Sequence, residues 1–199
     1  MSTSADDGAI RCWTSADQAY VDYHDNEWGR PVVDERGLYE RLCLEGFQSG
    51  LSWLTILRKR ENFRLAFRQF EPEVVARFGA RDISSLLQDA GIVRHRGKIE
   101  AAIANARGVL ALREAGTPLD ELVWEYRQDG PASTEWVAET PASRELSKRL
   151  KAAGFRFVGP TTVYSTMQAC GVVNDHRADC IVRASVELDR AALVTNRHE

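Results

Sequence analysis

Two Cys/His pairs lie near opposite ends of the chain: Cys12 with His24, and His176 with Cys180. Two thiolates and two imidazoles form a donor set suited to Zn²⁺, and an ion that takes all four as a tetrahedron keeps no open position for chemistry. The expected role of such a centre is structural, a clasp joining the two ends of the chain. On a helix, His176 and Cys180, four apart, would share one face and could meet one ion. Cys12 and His24 are separated by eleven residues, a loop that can close on a metal without announcing one. The spacing serves equally well two buried thiols and two histidines satisfied by hydrogen bonds.

Such a centre needs a scaffold, and composition bounds it. A chain of 199 residues, 44% of them apolar, can bury one sizeable core, as one domain or two closely packed lobes. No apolar run approaches the roughly 18 residues that span a bilayer. The opening MSTSADDGAI lacks the basic and apolar regions of a signal peptide. A cytoplasmic protein without a membrane partner is therefore expected, and its four cysteines are better read as metal-binding or buried than as disulfides. Cys43 and Cys170, set among apolar neighbours, are expected in the core. A net charge of -3 argues against a broad, nonspecific polyanion binder but leaves room for a local basic patch.

The elements read as all-α. From Trp53 the apolar residues Ile56, Leu57, Phe63, Phe67 and Phe70 recur at helical spacing, with Arg58, Lys59, Arg60, Arg64 and Arg68 as a basic outer face. Pro72 suits a first helical turn for a segment ending near Gly79, and Asp82 can cap the next through Leu87. Further helices are expected over Lys98–Ala115, Leu119–Gln128 and Pro141–Ala153, with Asp129–Glu139 as the main connecting loop. His95 reads as a helix-entry or surface group, and His198 as a surface group. The organisation expected is a flexible 1–10, a single all-α unit over 11–184, and a C-terminal tail over 185–199.

One local pattern carries a nucleic-acid mechanism. From Leu150 to Thr162 a helix runs into a short glycine-bounded turn and out into another helix, a helix-hairpin-helix. Gly154 and Gly159 allow backbone geometry and close approach, and the free amides opening the second helix, with the hydroxyls of Thr161 and Thr162, can meet a phosphate. An ordinary helix cap and turn accounts for the same residues.

The stretches Tyr23-His24-Asp25-Asn26-Glu27-Trp28-Gly29, Leu44 to Trp53, Lys59-Arg60-Glu61, Gly154 to Gly159 and Asn174-Asp175-His176 resemble 3-methyladenine DNA glycosylase I, in that family's order over roughly residues 11 to 183. The resemblance implies an all-α helix-hairpin-helix glycosylase with one structural zinc, whose ligands match Cys12, His24, His176 and Cys180. It also implies excision of N3-methyladenine from double-stranded alkylated DNA in base-excision repair, by a monomer with no obligate protein partner. Alkylation makes the base a cation that leaves readily as a neutral molecule, so recognition is the harder task. The base must first be rotated out of the stack, at a cost of a few kcal/mol. Aromatic faces can then hold the cation and a carboxylate can accept its amine hydrogens. Glu45 matches the family's base-contacting carboxylate and is the catalytic candidate; Tyr23 and Trp53 match the stacking aromatics, and Trp13 is a further candidate for that wall. Core packing is the alternative for all three aromatics.

Two departures from the family pattern stand out. Cys12 and Trp13 are adjacent where the family places one residue between them, which would move Trp13 or the approach of Cys12. Many helix-hairpin-helix glycosylases use an aspartate where this chain has Asn174; Asp175 beside it reads as a support for zinc-bound His176. No lysine stands where a lyase would place one, which implies a monofunctional hydrolase. DNA contacts are expected from the hairpin, with Lys148, Arg149 and Lys151 before it and Gln168 after it, and from Leu51 as an apolar wedge. A zinc-stapled DNA-binding module without chemistry and a zinc hydrolase are the competing classes.

Overall fold

The computed structural model describes residues 8–128 and 137–196, which among them contain helices and turns and no strand. In chain order the helices are α1 (Gln18–Asn26), α2 (Glu35–Gln48), α3 (Trp53–Ala66), α4 (Pro72–Val75), α5 (Ala80–Leu86), α6 (Arg96–Glu114), α7 (Leu119–Trp124), α8 (Pro141–Ala152), α9 (Pro160–Ala169) and α10 (Arg183–Asn196). Much of the expected connecting loop, residues 129–136, and His198 lie outside the described residues. No described helix is long and apolar enough to cross a membrane.

Local chemistry accounts for the element ends. Asp17, Asp34, Ser52 and Thr140 each accept a backbone N–H from the first turn of the helix they precede. Pro72 opens α4 as expected. Gly79, not Asp82, is the N-cap of α5; Asp82, three residues on, reaches back to accept the Gly79 N–H at 2.8 Å. α7 stops four residues short of Gln128, whose N–H turns away to the Val172 carbonyl.

α2 is the central element, buried from Leu38 to Phe47 except at half-buried Glu40, and it packs against α3, α6, α7 and α9. Cys43 and Cys170 are both core residues, as expected. The apolar stripe from Trp53 is helical only to Ala66. Arg68, Gln69 and Phe70 then take left-handed φ of 52°, 57° and 54°, which turns Phe70 back to stack on Phe67 with ring centroids 5.5 Å apart. The basic face of α3 is neutralised within the protein: Arg58 pairs with Asp17, Arg60 with Glu27, and Arg64 with Glu40 and Glu61, while Lys59 donates to the Ala90 carbonyl.

The C-terminal segment is an ordered helix, with Val186 and Arg190 fully buried. Arg190 donates to the carbonyls of Gly171, Gln128 and Val172, so this helix is built into the body of the protein. The N-terminal segment meets it where Ile181 N–H donates to the Ile10 carbonyl at 3.0 Å.

Candidate functional site

The two Cys/His pairs converge. One donor atom from each of Cys12, His24, His176 and Cys180 lies within 4.8 Å of the others. Cys12 Sγ and Cys180 Sγ stand 3.3 and 3.5 Å from His176 Nδ1, and Cys180 Sγ is 3.5 Å from His24 Nε2. A tetrahedron with metal–sulfur bonds of about 2.3 Å and metal–nitrogen bonds of about 2.05 Å has S···N edges of about 3.5 Å, so these donors fit one ion. The outer nitrogens fix the tautomers. His176 Nε2 donates to the Trp28 carbonyl at 2.9 Å, and His24 Nδ1 to Asp25 Oδ1 at 2.7 Å, so the other nitrogen of each ring faces the centre, where His24 Nε2 also accepts the Cys12 N–H at 3.2 Å. Asp25 is itself held by the Arg11 guanidinium.

His176 and Cys180 do not lie on a helix; they sit in the turns between α9 and α10, and the turn at Arg177–Cys180 brings the two donors together. Nor does Asp175 support His176: it accepts from the Tyr164 hydroxyl and from Gln168 Nε2. Asp25 and Trp28, both within the motif that begins at Tyr23, take that supporting role. Asn174 anchors the entry to α10 through the Arg183 carbonyl and Glu187. Burial pushes the Cys12 thiol up to about 12 and the His176 imidazole down to about 4. A central cation would reverse the penalty on the thiol.

Beside this cluster is a group of aromatic rings, two of which, Tyr20 and Tyr23, lie close enough to Glu45 for its charge to act on them. Trp13, Tyr20, Tyr23 and Trp53 form a chain of rings, with centroids 5.2 Å apart for Trp13–Tyr20, 6.5 Å for Tyr20–Tyr23 and 5.2 Å for Tyr23–Trp53. Trp13 also meets His24 edge-on at 4.6 Å, so the residue absent after Cys12 does not remove its ring from the group. Tyr20 belongs to the same wall. Its place was legible as the residue one helical turn before Tyr23 on α1.

Glu45 rises from the last turn of α2, 6% exposed, and its carboxyl makes no hydrogen bond among the described residues. Arg41, one turn earlier, donates to Glu27 Oε2 at 3.0 Å and lies over the Tyr23 ring at 5.5 Å, forming no ion pair with Glu45. Burial pushes the Glu45 carboxyl up to about 8, partly opposed by the Arg41 charge. Three more buried polar atoms here lack partners: Trp13 Nε1, Trp53 Nε1 and one Arg41 nitrogen. Unsatisfied donors of this kind are costly in an isolated fold, and the Glu45 carboxyl together with the ring faces suits a flat, cationic guest.

The hairpin follows α8. Gly154 at φ +90 and the bonds Gly154 N–H to Lys151 and Phe155 N–H to Leu150 close α8 in a Schellman cap. Gly159 has an ordinary φ of -62°, so only openness, with nothing within 4 Å of a Cβ there, distinguishes it. The Thr161 and Thr162 amides at the start of α9 have no acceptor among the described residues. Gln168, in contrast, is buried and committed to Asp175, so it does not extend this surface. Lys148 and Lys151 are exposed, whereas Arg149 is paired with Glu125 over the Tyr126 ring. Leu51 projects from the turn between α2 and α3, 43% exposed, where Gly50 takes φ +81.

A family model described as methyladenine glycosylase matches residues 13–184. DNA-3-methyladenine glycosylase 1 of Escherichia coli is 51% identical over 177 residues, covering 85% of this chain and 95% of that protein. A crystal structure of 3-methyladenine DNA glycosylase I is 50% identical with a TM-score of 0.82, covering 86% of this chain and 98% of that one. A structure addressing 3-methyladenine recognition by the Staphylococcus aureus 3-methyladenine DNA glycosylase I is 38% identical, with a TM-score of 0.80 over 85% of this chain and 93% of that one.

Proposed function

The chain belongs to the methyladenine glycosylase family, and from that premise we propose how its residues excise a methylated base. The protein is a DNA-3-methyladenine glycosylase of base-excision repair, hydrolysing the N-glycosidic bond of N3-methyladenine and releasing the free base. The observation that carries the residue-level reading is Glu45, a buried carboxyl with no hydrogen bond among the described residues, close enough to Tyr20 and Tyr23 for their charges to interact.

The extruded base is flat and cationic. Tyr23, Trp53, Tyr20 and Trp13 supply faces for it, and Glu45 accepts from its exocyclic amine. The positive charge of the entering base favours the Glu45 carboxylate, whose proton passes to solvent as the ion pair forms. The glycosidic bond then breaks with its electron pair moving into the ring, and the base leaves neutral without needing a proton donor. Water adds to C1′ of the sugar and loses one proton to solvent, leaving an abasic site with the strand intact.

The backbone is held by the hairpin, with the Thr161 and Thr162 amides and hydroxyls on phosphate and Gly154 and Gly159 allowing close approach. Leu51 enters the gap left by the base. Cys12, His24, His176 and Cys180 would hold one zinc ion, which supplies cross-linking of the two ends and no chemistry, because four protein donors complete the tetrahedron. That set supports a clasp over a zinc hydrolase, which requires an open position.

Incubating alkylated duplex DNA with the protein and separating the released bases by chromatography tests the reading. Release of 3-methyladenine by the parent, falling about 100-fold in Glu45→Gln, is expected. Equal release by the variant overturns the pocket, and no release by the parent overturns the enzyme.

A further inference from the structure

Lys98 lies in the first turn of α6, is buried, and spends its ammonium on main-chain carbonyls alone: Nζ donates to the Phe47 oxygen at 2.9 Å and to that of Ser49. Those carbonyls belong to the C-terminal end of α2, where the last turn of any helix leaves acceptors without partners. Surface lysines of the same helix commonly provide that service; here the donor comes from 49 to 51 residues away and is taken out of water to do it. The residue after Ser49 is Gly50 at φ +81, and next comes exposed Leu51, whose N–H returns to the Gln48 carbonyl at 2.6 Å. Ser52 then caps α3, and pocket residue Trp53 follows. Lys98 therefore grips the base of the Leu51 turn on one side, while Ser52 anchors the other.

The same helix holds the hairpin. Two turns after Lys98, on the same face, Asn105 accepts the Arg156 N–H at 2.7 Å and donates to the Arg156 carbonyl at 3.2 Å. At the entrance to α6, the His95 ring meets Phe157 edge-on at 6.3 Å. A single rigid helix thus sets the separation between the Leu51 turn and the phosphate-facing hairpin.

We propose that Lys98 is a positioning residue for duplex DNA, fixing the Leu51 turn relative to the hairpin so that wedge and backbone clamp engage the same lesion. This rests on the reading of Leu51 as the wedge. Lys98 touches neither base nor phosphate and acts through the turn.

The test is a double-mutant cycle between Lys98→Met and Leu51→Ala, with excision from alkylated duplex and binding of free 3-methyladenine, followed by tryptophan quenching, as separate readouts. Lys98→Met is expected to slow duplex excision about tenfold, the scale of a modest misplacement, with free-base affinity unchanged and no further loss when it is introduced into Leu51→Ala. Additive losses, or a parallel fall in free-base affinity, overturn the proposal while leaving the wedge reading in place. If Leu51→Ala excises as fast as the parent, the wedge reading itself falls, and the proposal with it. Should Lys98→Met fail to fold, Lys98→Gln, which retains an amide donor of shorter reach, is held to the same criteria.

Discussion

Glu45→Gln separates the cost of the pocket from its use. The Glu45 carboxyl is held at about 8 against an ordinary 4.5 because burial penalises its charge more than Arg41 favours it. The folded protein therefore binds this proton more tightly than the unfolded chain does. Stability from this source is fully present below about pH 4.5, falls as pH rises, and is lost above about pH 8. At about 1.4 kcal/mol per pH unit the whole interval is worth about 5 kcal/mol. Water drawn to the ionised carboxylate lowers the amount realised, so a change of at least about 2 kcal/mol is expected. Glutamine has the same shape and no proton to lose. The variant should thus gain on the parent as pH rises, by about 2 to 4 kcal/mol between about pH 5 and pH 9. Urea denaturation of the two proteins in parallel measures this, and taking their difference cancels the titration of the cysteines and histidines common to both. The same variant should excise poorly at every pH. A stability difference that stays flat with pH, or one that favours the parent at high pH, would refute the argument that the pocket stores an unpaired carboxyl for the substrate.

Three other substitutions have outcomes set by the geometry. Asp25→Asn weakens the acceptor that orients His24, and zinc affinity, measured by chelator competition, should fall about 10- to 100-fold; excision per folded molecule should stay near the parent level. Gly171→Ala combines φ +73 with a Cβ placed 2.5 Å from the Gly29 carbonyl oxygen. Since neither backbone can yield cheaply, a loss of about 3 kcal/mol in denaturant unfolding is expected. Arg190→Leu strips donors from the carbonyls of Gly171, Gln128 and Val172. It should cost about 3 kcal/mol or more, read from thermal melting together with loss of α10 protection in amide hydrogen exchange.

Where local periodicity and capping carry the signal, sequence and structure agree closely. α6 and α8 begin and end within two residues of the spans expected, because an apolar stripe and an entry cap act over a few residues. The agreement fails where a pattern suits two geometries. A histidine and a cysteine four apart fit a helix face and also a tight turn, and the turn is what forms. Gln168 has the spacing of an exposed helical residue, yet Asp175 folds back and takes it inward. The basic residues of α3 read as a solvated face because their acidic partners, Asp17, Glu27 and Glu40, lie in other elements.

Residue types and their order, by themselves, determined the helical class and the metal-competent donors, since chemical capability and short-range periodicity are properties of the local chain; the roles of Glu45 and its aromatic neighbours came from the resemblance to the glycosylase family. Tertiary structure alone decided that donors more than 160 residues apart meet within hydrogen-bonding distance. It also decided that Arg41 turns to Glu27 and leaves Glu45 unpaired, and that Asp25 and Trp28 orient the two histidines. The physical reason is that tautomer, ionisation and positioning depend on the desolvation and fields produced by groups distant in sequence, and those are specified only when the helices have packed.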